Sequence, residues 1–372
     1  MNTESITIMR CFKQLPVIVA CFHSILQQYR LSIILALLVI PTGFSMWEHA
    51  ESNNAIPISF ITSEWDQSIY FNTSFLCQYD LVNRILQEQE GFASITFTTS
   101  DGLILDGLYK EVTHAVGTII FCAGFYPGHK EGIATFIKMV PDNYNLFFFD
   151  ARGHGISQGS LWSSLSEYGL HEYKDILAAL AWVHEHTNLP IIIHGLCAGA
   201  FHATKAIIKL IENNSYEKYH IKALIFDSGV SSMTESCVVP LLHIRDKTIP
   251  SLLMSWYTHD TKHSIKSRWL YICMWSCAAL FLHPFHWYMK KKLELKKDEL
   301  NLATQIHKIT CPILFIHAKN DGYSSYASIQ QLIQLTQKSQ QLILDDTEHA
   351  VLHLKHKYVY KNALQGFLNQ VL

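Results

Sequence analysis

The sequence predicts an α/β fold, a mostly parallel twisted sheet flanked by helices with an antiparallel start. Three observations carry this. Short unbroken apolar runs recur from residue 90 onward, helical stretches alternate with them, and an Asp-Gly turn joins the first two extended segments. Ile95–Phe97 and Leu103–Tyr109 flank Asp101-Gly102, which reads as a β-hairpin. Six runs follow: Thr118–Phe121, Leu146–Phe149, Ile191–Ile193, Ala223–Phe226, Ile313–Ile316 and Leu342–Leu344. They do not alternate with polar residues, as expected of parallel strands covered on both faces. Tyr168–His186 and Phe201–Ile211 read as connecting helices. About 80 residues, 230 to 310, separate the strand at Ala223 from the strand at Ile313. That is too long for a simple crossover, so a cap is expected between the sixth and seventh strands.

Composition narrows the classes. The 372 residues are 49% hydrophobic and 16% charged, which excludes an extended polar or disordered chain. The formal net charge is −2, from 29 basic and 31 acidic residues, so no basic field exists to hold nucleic acid. The 9 cysteines show neither a disulfide framework nor paired C-x-x-C motifs. Most sit in apolar runs such as Ile120-Phe121-Cys122, which fits a reducing compartment.

Residues 31–47 read LSIILALLVIPTGFSMW, without a charge. As a helix this run spans about 25 Å, near the lower limit for a bilayer. Arg10, Lys13 and Arg30 precede it, and Glu48, Glu51 and Asp66 follow, so the positive-inside rule places residues 1–30 in the cytoplasm. An uncleaved single-pass anchor is the preferred reading. A cleaved signal peptide has too long a leader, and a peripheral hairpin would also use Leu15–Leu26. Export of unpaired cysteines conflicts with the anchor reading, and the side of the membrane stays open.

The chemistry gathers at three strand ends. Gly195-Leu196-Cys197-Ala198-Gly199 lies between a strand and a helix, as in a nucleophile elbow, with cysteine at the nucleophile position. The helix N-terminus favours an anion there. Asp321 follows the strand at Ile313, and His349 follows the strand at Leu342. Nucleophile, acid and base thus come in chain order at the sheet edge where open α/β folds bind ligands. His349 would take the thiol proton, and Asp321 would hold its ring.

These residues resemble the α/β-hydrolase superfamily, and most closely its membrane-anchored α/β-hydrolase-domain and monoacylglycerol-lipase or serine-aminopeptidase-like branch. Asp150-Ala151-Arg152-Gly153-His154-Gly155-Ile156-Ser157-Gln158-Gly159 is similar to that branch's D-x-R-G-x-G-x-S-x-G, and Gly169, Glu172, Asp175 and Ala178–Trp182 to its next helix. The resemblance covers about residues 90–372. It implies an oxyanion hole made by the amides of Ala198 and Phe125, the latter in Phe121-Cys122-Ala123-Gly124-Phe125. The chain departs twice from the pattern. Ala123 replaces a usual histidine, and Cys197 replaces the usual serine, as in dienelactone hydrolases and some acyltransferase-like relatives.

Blander readings stand beside these. Cys197 as a buried structural thiol, Asp321 as a turn former and His349 as a helix cap are each ordinary, with His353 the stand-in base. His349, His353 and His356 lack the glutamate of a zincin motif, so no metal is expected. His154 reads as structural, His184 and His186 as a solvated helix end, and Asn72-Thr73-Ser74 and Asn213-Asn214-Ser215 as chance sequons. The second apolar stretch, Trp269–Met289, lies between Cys197 and Asp321. A single crossing there would put nucleophile and acid on opposite sides of a bilayer. It is therefore expected to be a cap element that packs over the site or dips into the membrane interface.

The expected organisation is a cytoplasmic segment 1–30, an anchor 31–47, a juxtamembrane region 48–90, core 91–230, cap 231–310 and core 311–372. The expected function is a membrane-associated hydrolase of an acyl ester, thioester or lipid, needing no cofactor. The alternative is an inactive protein of the same fold that binds an apolar ligand or a protein partner. The oligomeric state is not legible.

Overall fold

The computed structural model describes residues 86–125, 130–159, 169–233 and 298–372. The runs at 31–47 and 269–289, the sequon at 72–74 and most of the insertion at 231–310 lie outside the described residues. Among the described residues, no helix is long and apolar enough to cross a membrane.

Eight strands form one sheet: β1 (Ala93–Thr98), β2 (Ile104–Lys110), β3 (Gly117–Cys122), β4 (Tyr144–Phe149), β5 (Ile191–Leu196), β6 (Ile221–Asp227), β7 (Ile313–Ala318) and β8 (Ser339–Leu344). The spatial order is β1-β2-β4-β3-β5-β6-β7-β8. β1 and β2 pair antiparallel around Asp101-Gly102, β2 pairs antiparallel with β4, and every later pair is parallel. The α-helices used below are α1 (Tyr173–His186), α2 (Ala198–Glu212), α3 (Tyr326–Leu335), α4 (Leu352–Lys355) and α5 (Lys357–Val371), and a 3-10 helix spans Lys130–Lys138.

The unbroken apolar runs have the predicted cause. Side chains alternate across a strand, so both faces of each central strand need an apolar cover. On one face Ile120, Phe147, Ile193 and Phe226 pack with Ile176, Leu180, Phe201 and Ile207 of α1 and α2. On the other, Ile119, Phe121, Phe148, Ile192 and Ile225 pack with Phe136 and with Tyr360, Leu364 and Phe367 of α5. Burying each such side chain is worth roughly 1.5–3 kcal/mol, which makes these layers the main stabilising element. β8 departs from the expectation of a fully buried run. It lies at the sheet edge, and Ser339, Gln340 and Gln341 are exposed.

Two helix starts also differ. α1 begins at Tyr173 rather than Tyr168, because Gly169 takes a φ of 86° outside the helical region. α2 begins at Ala198, immediately after Cys197, three residues earlier than the apolar pattern suggests. Small residues at 198–200 carry no apolar periodicity, but they allow the first turn to lie close against the sheet.

The insertion between β6 and β7 starts and ends side by side. Met233 N–H donates to the Leu300 carbonyl (3.0 Å), and Leu302 N–H donates to the Ser231 carbonyl (2.8 Å). Ser232 and Asn301 form an antiparallel bridge. The chain therefore leaves and rejoins the core at one point, so the sheet closes without the inserted residues.

Candidate active site

Cys197 stands between β5 and α2 with φ 55° and ψ −121°, a conformation costly for a residue with a Cβ. Its neighbours must be small. A Cβ on Gly195 would lie 2.4 Å from the Ala200 Cα, and one on Gly199 would lie 2.1 Å from the Cys122 carbonyl oxygen. The turn is held from below by the Cys197 N–H, which donates to the Asp227 carbonyl at the end of β6 (2.8 Å). The result lifts the thiol off the sheet edge, half-buried, at the N-terminus of α2.

The structure brings Cys197, His349 and Asp321 together. His349 Nε2 lies 3.0 Å from Cys197 Sγ, and His349 Nδ1 lies 2.7 Å from Asp321 Oδ2. A carboxylate accepts only, so Nδ1 carries the proton and Nε2 faces the sulfur. The other oxygen, Asp321 Oδ1, accepts the amides of Tyr323 (2.8 Å) and Ser324 (2.9 Å). The Asp321 side chain is fully buried. Burial alone disfavours a charged His349, but the charge of Cys197 and the bonds to Asp321 and Cys197 outweigh it. The imidazole is held well above its ordinary range. The Tyr323 ring packs against the imidazole at 4.9 Å.

Ala198 and Phe125, the two expected oxyanion donors, lie on the helix start and on the loop after β3. Gly124 brings that loop to the nucleophile: a Cβ added there would lie 3.0 Å from the Cys197 Cβ. His154, expected to shape the loop after β4, also supports the loop after β3. Its Nε2 contacts the Phe125 carbonyl (2.9 Å), its Nδ1 contacts the Arg152 carbonyl (3.0 Å), and its ring meets the Phe125 ring edge-on at 5.7 Å. The loop after β4 thereby holds the loop after β3. Arg152 is fixed in turn, its Nε donating to Asp175 (2.8 Å) and its other nitrogens to Asp101 (3.0 and 3.1 Å). Lys130 ties the same loops from the buried side, with Nζ on Asp150 (2.9 Å) and Asp106 (2.5 Å).

Other singled-out residues have different places. His353 is not beside the thiol. It is fully buried, its Nε2 3.0 Å from Thr135 Oγ1 and its ring stacked on Phe136. His356 faces Asp346 (3.2 Å), so the three histidines 349, 353 and 356 do not converge. His186 is exposed at the end of α1, as expected, and stacks on Trp182 at 3.7 Å, while His184 is half-buried and meets Tyr219 edge-on.

Two groups escaped the sequence reading. Behind the elbow, Tyr360 O–H donates to Asp227 Oδ2 (2.6 Å) and also lies 3.3 Å from His194 Nε2, all buried. Only tertiary structure joins α5 to β5 and β6. His317, four residues before Asp321, is also fully buried, and its Nε2 lies 3.2 Å from the Ser324 carbonyl. Its place at the end of β7 is a signal that the sequence carried.

A parallel-centred eight-stranded sheet with a nucleophile elbow, and acid and base on later strand ends, defines the α/β hydrolases. The family model for serine aminopeptidase, S33, matches residues 113–353, and the chain belongs to that family. The protein is an α/β-hydrolase enzyme. An uncharacterized protein of Bacillus subtilis, YqkD, is 22% identical over 287 residues, 76% of this chain and 81% of the relative. An esterase from Pyrococcus furiosus is similar in structure (TM-score 0.52, 18% identity, 75% of this chain and 91% of that one). So is an acylaminoacyl peptidase from Pyrococcus horikoshii (TM-score 0.51, 17% identity, 78% of this chain and 43% of that one). At these identities the two structures bear on the fold alone. That family is named for serine, whereas this chain carries cysteine at the elbow.

Proposed function

We propose that the protein hydrolyses an acyl ester or thioester through an acyl-cysteine intermediate. The observation that supports this is the continuous chain from Cys197 Sγ through His349 to Asp321, at 3.0 and 2.7 Å. His349 Nε2 takes the thiol proton, and Sγ attacks the carbonyl carbon. The oxyanion forms against the Ala198 and Phe125 amides. Collapse breaks the bond to the alcohol or thiol, which leaves with the proton from His349. Water then gives a proton to His349 and attacks the acyl-cysteine. Breakdown releases the carboxylic acid and returns the proton to Sγ.

The apolar character of Trp269–Met289 and of Leu31–Trp47 supports an apolar acyl substrate and an N-terminal membrane anchor, with 231–310 as the cap. The test is hydrolysis of a short-to-long series of p-nitrophenyl esters and acyl thioesters by wild type, Cys197→Ala and Cys197→Ser. Cys197→Ala is expected to lose at least about 10³-fold in kcat/KM. An alanine variant as active as wild type overturns the proposal.

A further inference from the structure

The carboxylate Asp321 lies between two histidines, and the reaction uses only one. His349 Nδ1 donates to Oδ2 at 2.7 Å, while His317 Nδ1 lies 3.9 Å from the same oxygen. His317 is 0% exposed and is the next-to-last residue of strand β7, before the Asp321 loop. Its Nε2 faces the Ser324 carbonyl at 3.2 Å, and a carbonyl only accepts, so Nε2 carries the proton. A neutral His317 therefore turns an unprotonated Nδ1 toward a carboxylate, and that buried nitrogen has no hydrogen-bond partner.

The Ser324 linkage has a direct consequence. Ser324 offers its amide to Asp321 Oδ1 at 2.9 Å and its carbonyl to His317. His317 thus fixes the peptide that aims the acid. The second consequence concerns protonation. A proton on Nδ1 would give His317 two donors, one for Ser324 and one for Asp321 Oδ2. The acid would then be shared between two cationic rings, and its hold on His349 would weaken.

We propose that His317 is a positioning residue for Asp321: neutral, it pins the Asp321–Ser324 turn, and on gaining a proton at Nδ1 it draws Oδ2 away from His349 and switches the site off. This rests on the Cys197–His349–Asp321 reading above. The charged groups around His317 are Asp321 on its own loop, Asp227 at the end of β6 and His349 on the loop after β8. Burial, the largest influence, and His349 disfavour its charge, while the two aspartates and the Ser324 bond favour it. The net direction is below the ordinary imidazole range. Burial therefore favours the neutral ring, and His317 gains its proton only on the acid side of the ordinary imidazole range.

Glutamine keeps a donor near the Nε2 position but cannot titrate, and leucine keeps neither property. The experiment compares wild type, His317→Gln, His317→Leu and Cys197→Ala in the full chain between about pH 4.5 and 8. One readout is kcat/KM on a p-nitrophenyl ester. The other is alkylation of Cys197 by iodoacetamide, followed by peptide mass spectrometry, which needs no turnover. In wild type, log(kcat/KM) and the alkylation rate should fall on the acid side with a slope of about two protons. His317→Gln should lose only a few-fold at neutral pH and fall with a slope of about one. His317→Leu should lose about ten- to hundredfold in kcat with KM little changed. Acid limbs that superpose for wild type and His317→Gln, with Cys197→Ala inactive, overturn the role of His317 and leave the triad standing. A Cys197→Ala variant as active as wild type overturns both. Should His317→Leu fail to fold, the glutamine comparison alone decides.

Discussion

Cys197 holds a φ of 55° that a side chain makes costly by about 1–3 kcal/mol, and the surrounding fold must supply that energy. The return is position: the sulfur stands 3.0 Å from His349 Nε2 at a helix N-terminus. Under the proposed mechanism, serine at this position would keep the geometry but lose a nucleophile that ionises readily beside an imidazole. Cys197→Ser is therefore expected to retain a residual activity above Cys197→Ala and below wild type, measured on the same ester series. In the proposed mechanism Asp321 acts only through His349 Nδ1. Asp321→Asn presents an amide that either donates to Nδ1 or turns away, and the ring then loses the tautomer that leaves Nε2 unprotonated. We expect kcat to fall by about 10²–10⁴ with KM little changed, checked by steady-state kinetics. The sequence made these three residues legible because each follows an apolar strand. It did not make His317 legible as a partner of Asp321, because burial and the turn geometry at Ser324 set that relation.

The elbow is a contact between elements, and its glycines follow from how closely α2 approaches β3. A Cβ at Gly199 would meet two backbone carbonyl oxygens, of Cys122 at 2.1 Å and Ala123 at 2.5 Å. Backbone cannot swing aside as a flexible side chain can, so α2 would have to move off the sheet. Gly199→Ala is expected to destabilise by about 3 kcal/mol and to abolish turnover. Gly366 gives the contrast. It lies exposed in α5, with nothing within 4 Å of an added Cβ. Gly366→Ala should stabilise by about 0.5–1 kcal/mol through helix propensity alone. Urea unfolding of the two variants checks both values. The G-x-C-x-G spacing announced the first glycine pair in the sequence. The clamp of His154 on the Phe125 carbonyl joins two loops far apart along the chain, and no periodicity marks it.

At the scale of the molecule, buried histidines set the response to acid. His202 and His353 are fully enclosed, and burial above all pushes each down to about 3, while burial also lowers His317. An unfolded histidine titrates near 6.5, so below that pH the unfolded chain binds more protons than the folded one. Stability is therefore complete above about pH 6.5 and falls as the pH drops toward 3, by an amount on the order of a few kcal/mol. Glu172 works the other way. Burial pushes its carboxyl up to about 7, so the stability it contributes is present below about 4.5 and is lost as the pH rises through 7. His349, held above its ordinary range, and the buried carboxyls of Asp106 and Asp175 act in the same direction as Glu172, but His202 and His353 are displaced furthest, so the melting temperature is expected to be lower at pH 5 than at pH 7.5 by differential scanning calorimetry. A flat or rising profile on acidification would contradict that balance.

The sequence by itself determined the sheet, its antiparallel start and the three strand ends that carry Cys197, Asp321 and His349. Strands covered on both faces must be apolar throughout, and a sharp turn against a helix must have glycines beside it. Both demands are local and can be read in a line of residues. Tertiary structure alone decided that β8 is an exposed edge, that His353 packs on Phe136 rather than beside the thiol, and that Tyr360 reaches Asp227 from the last helix. It also placed His317 and Ser324 around the acid. Those facts depend on which distant elements pack together and how much water they exclude, and a histidine reads the same in sequence whether it is buried, stacked or poised beside a carboxylate.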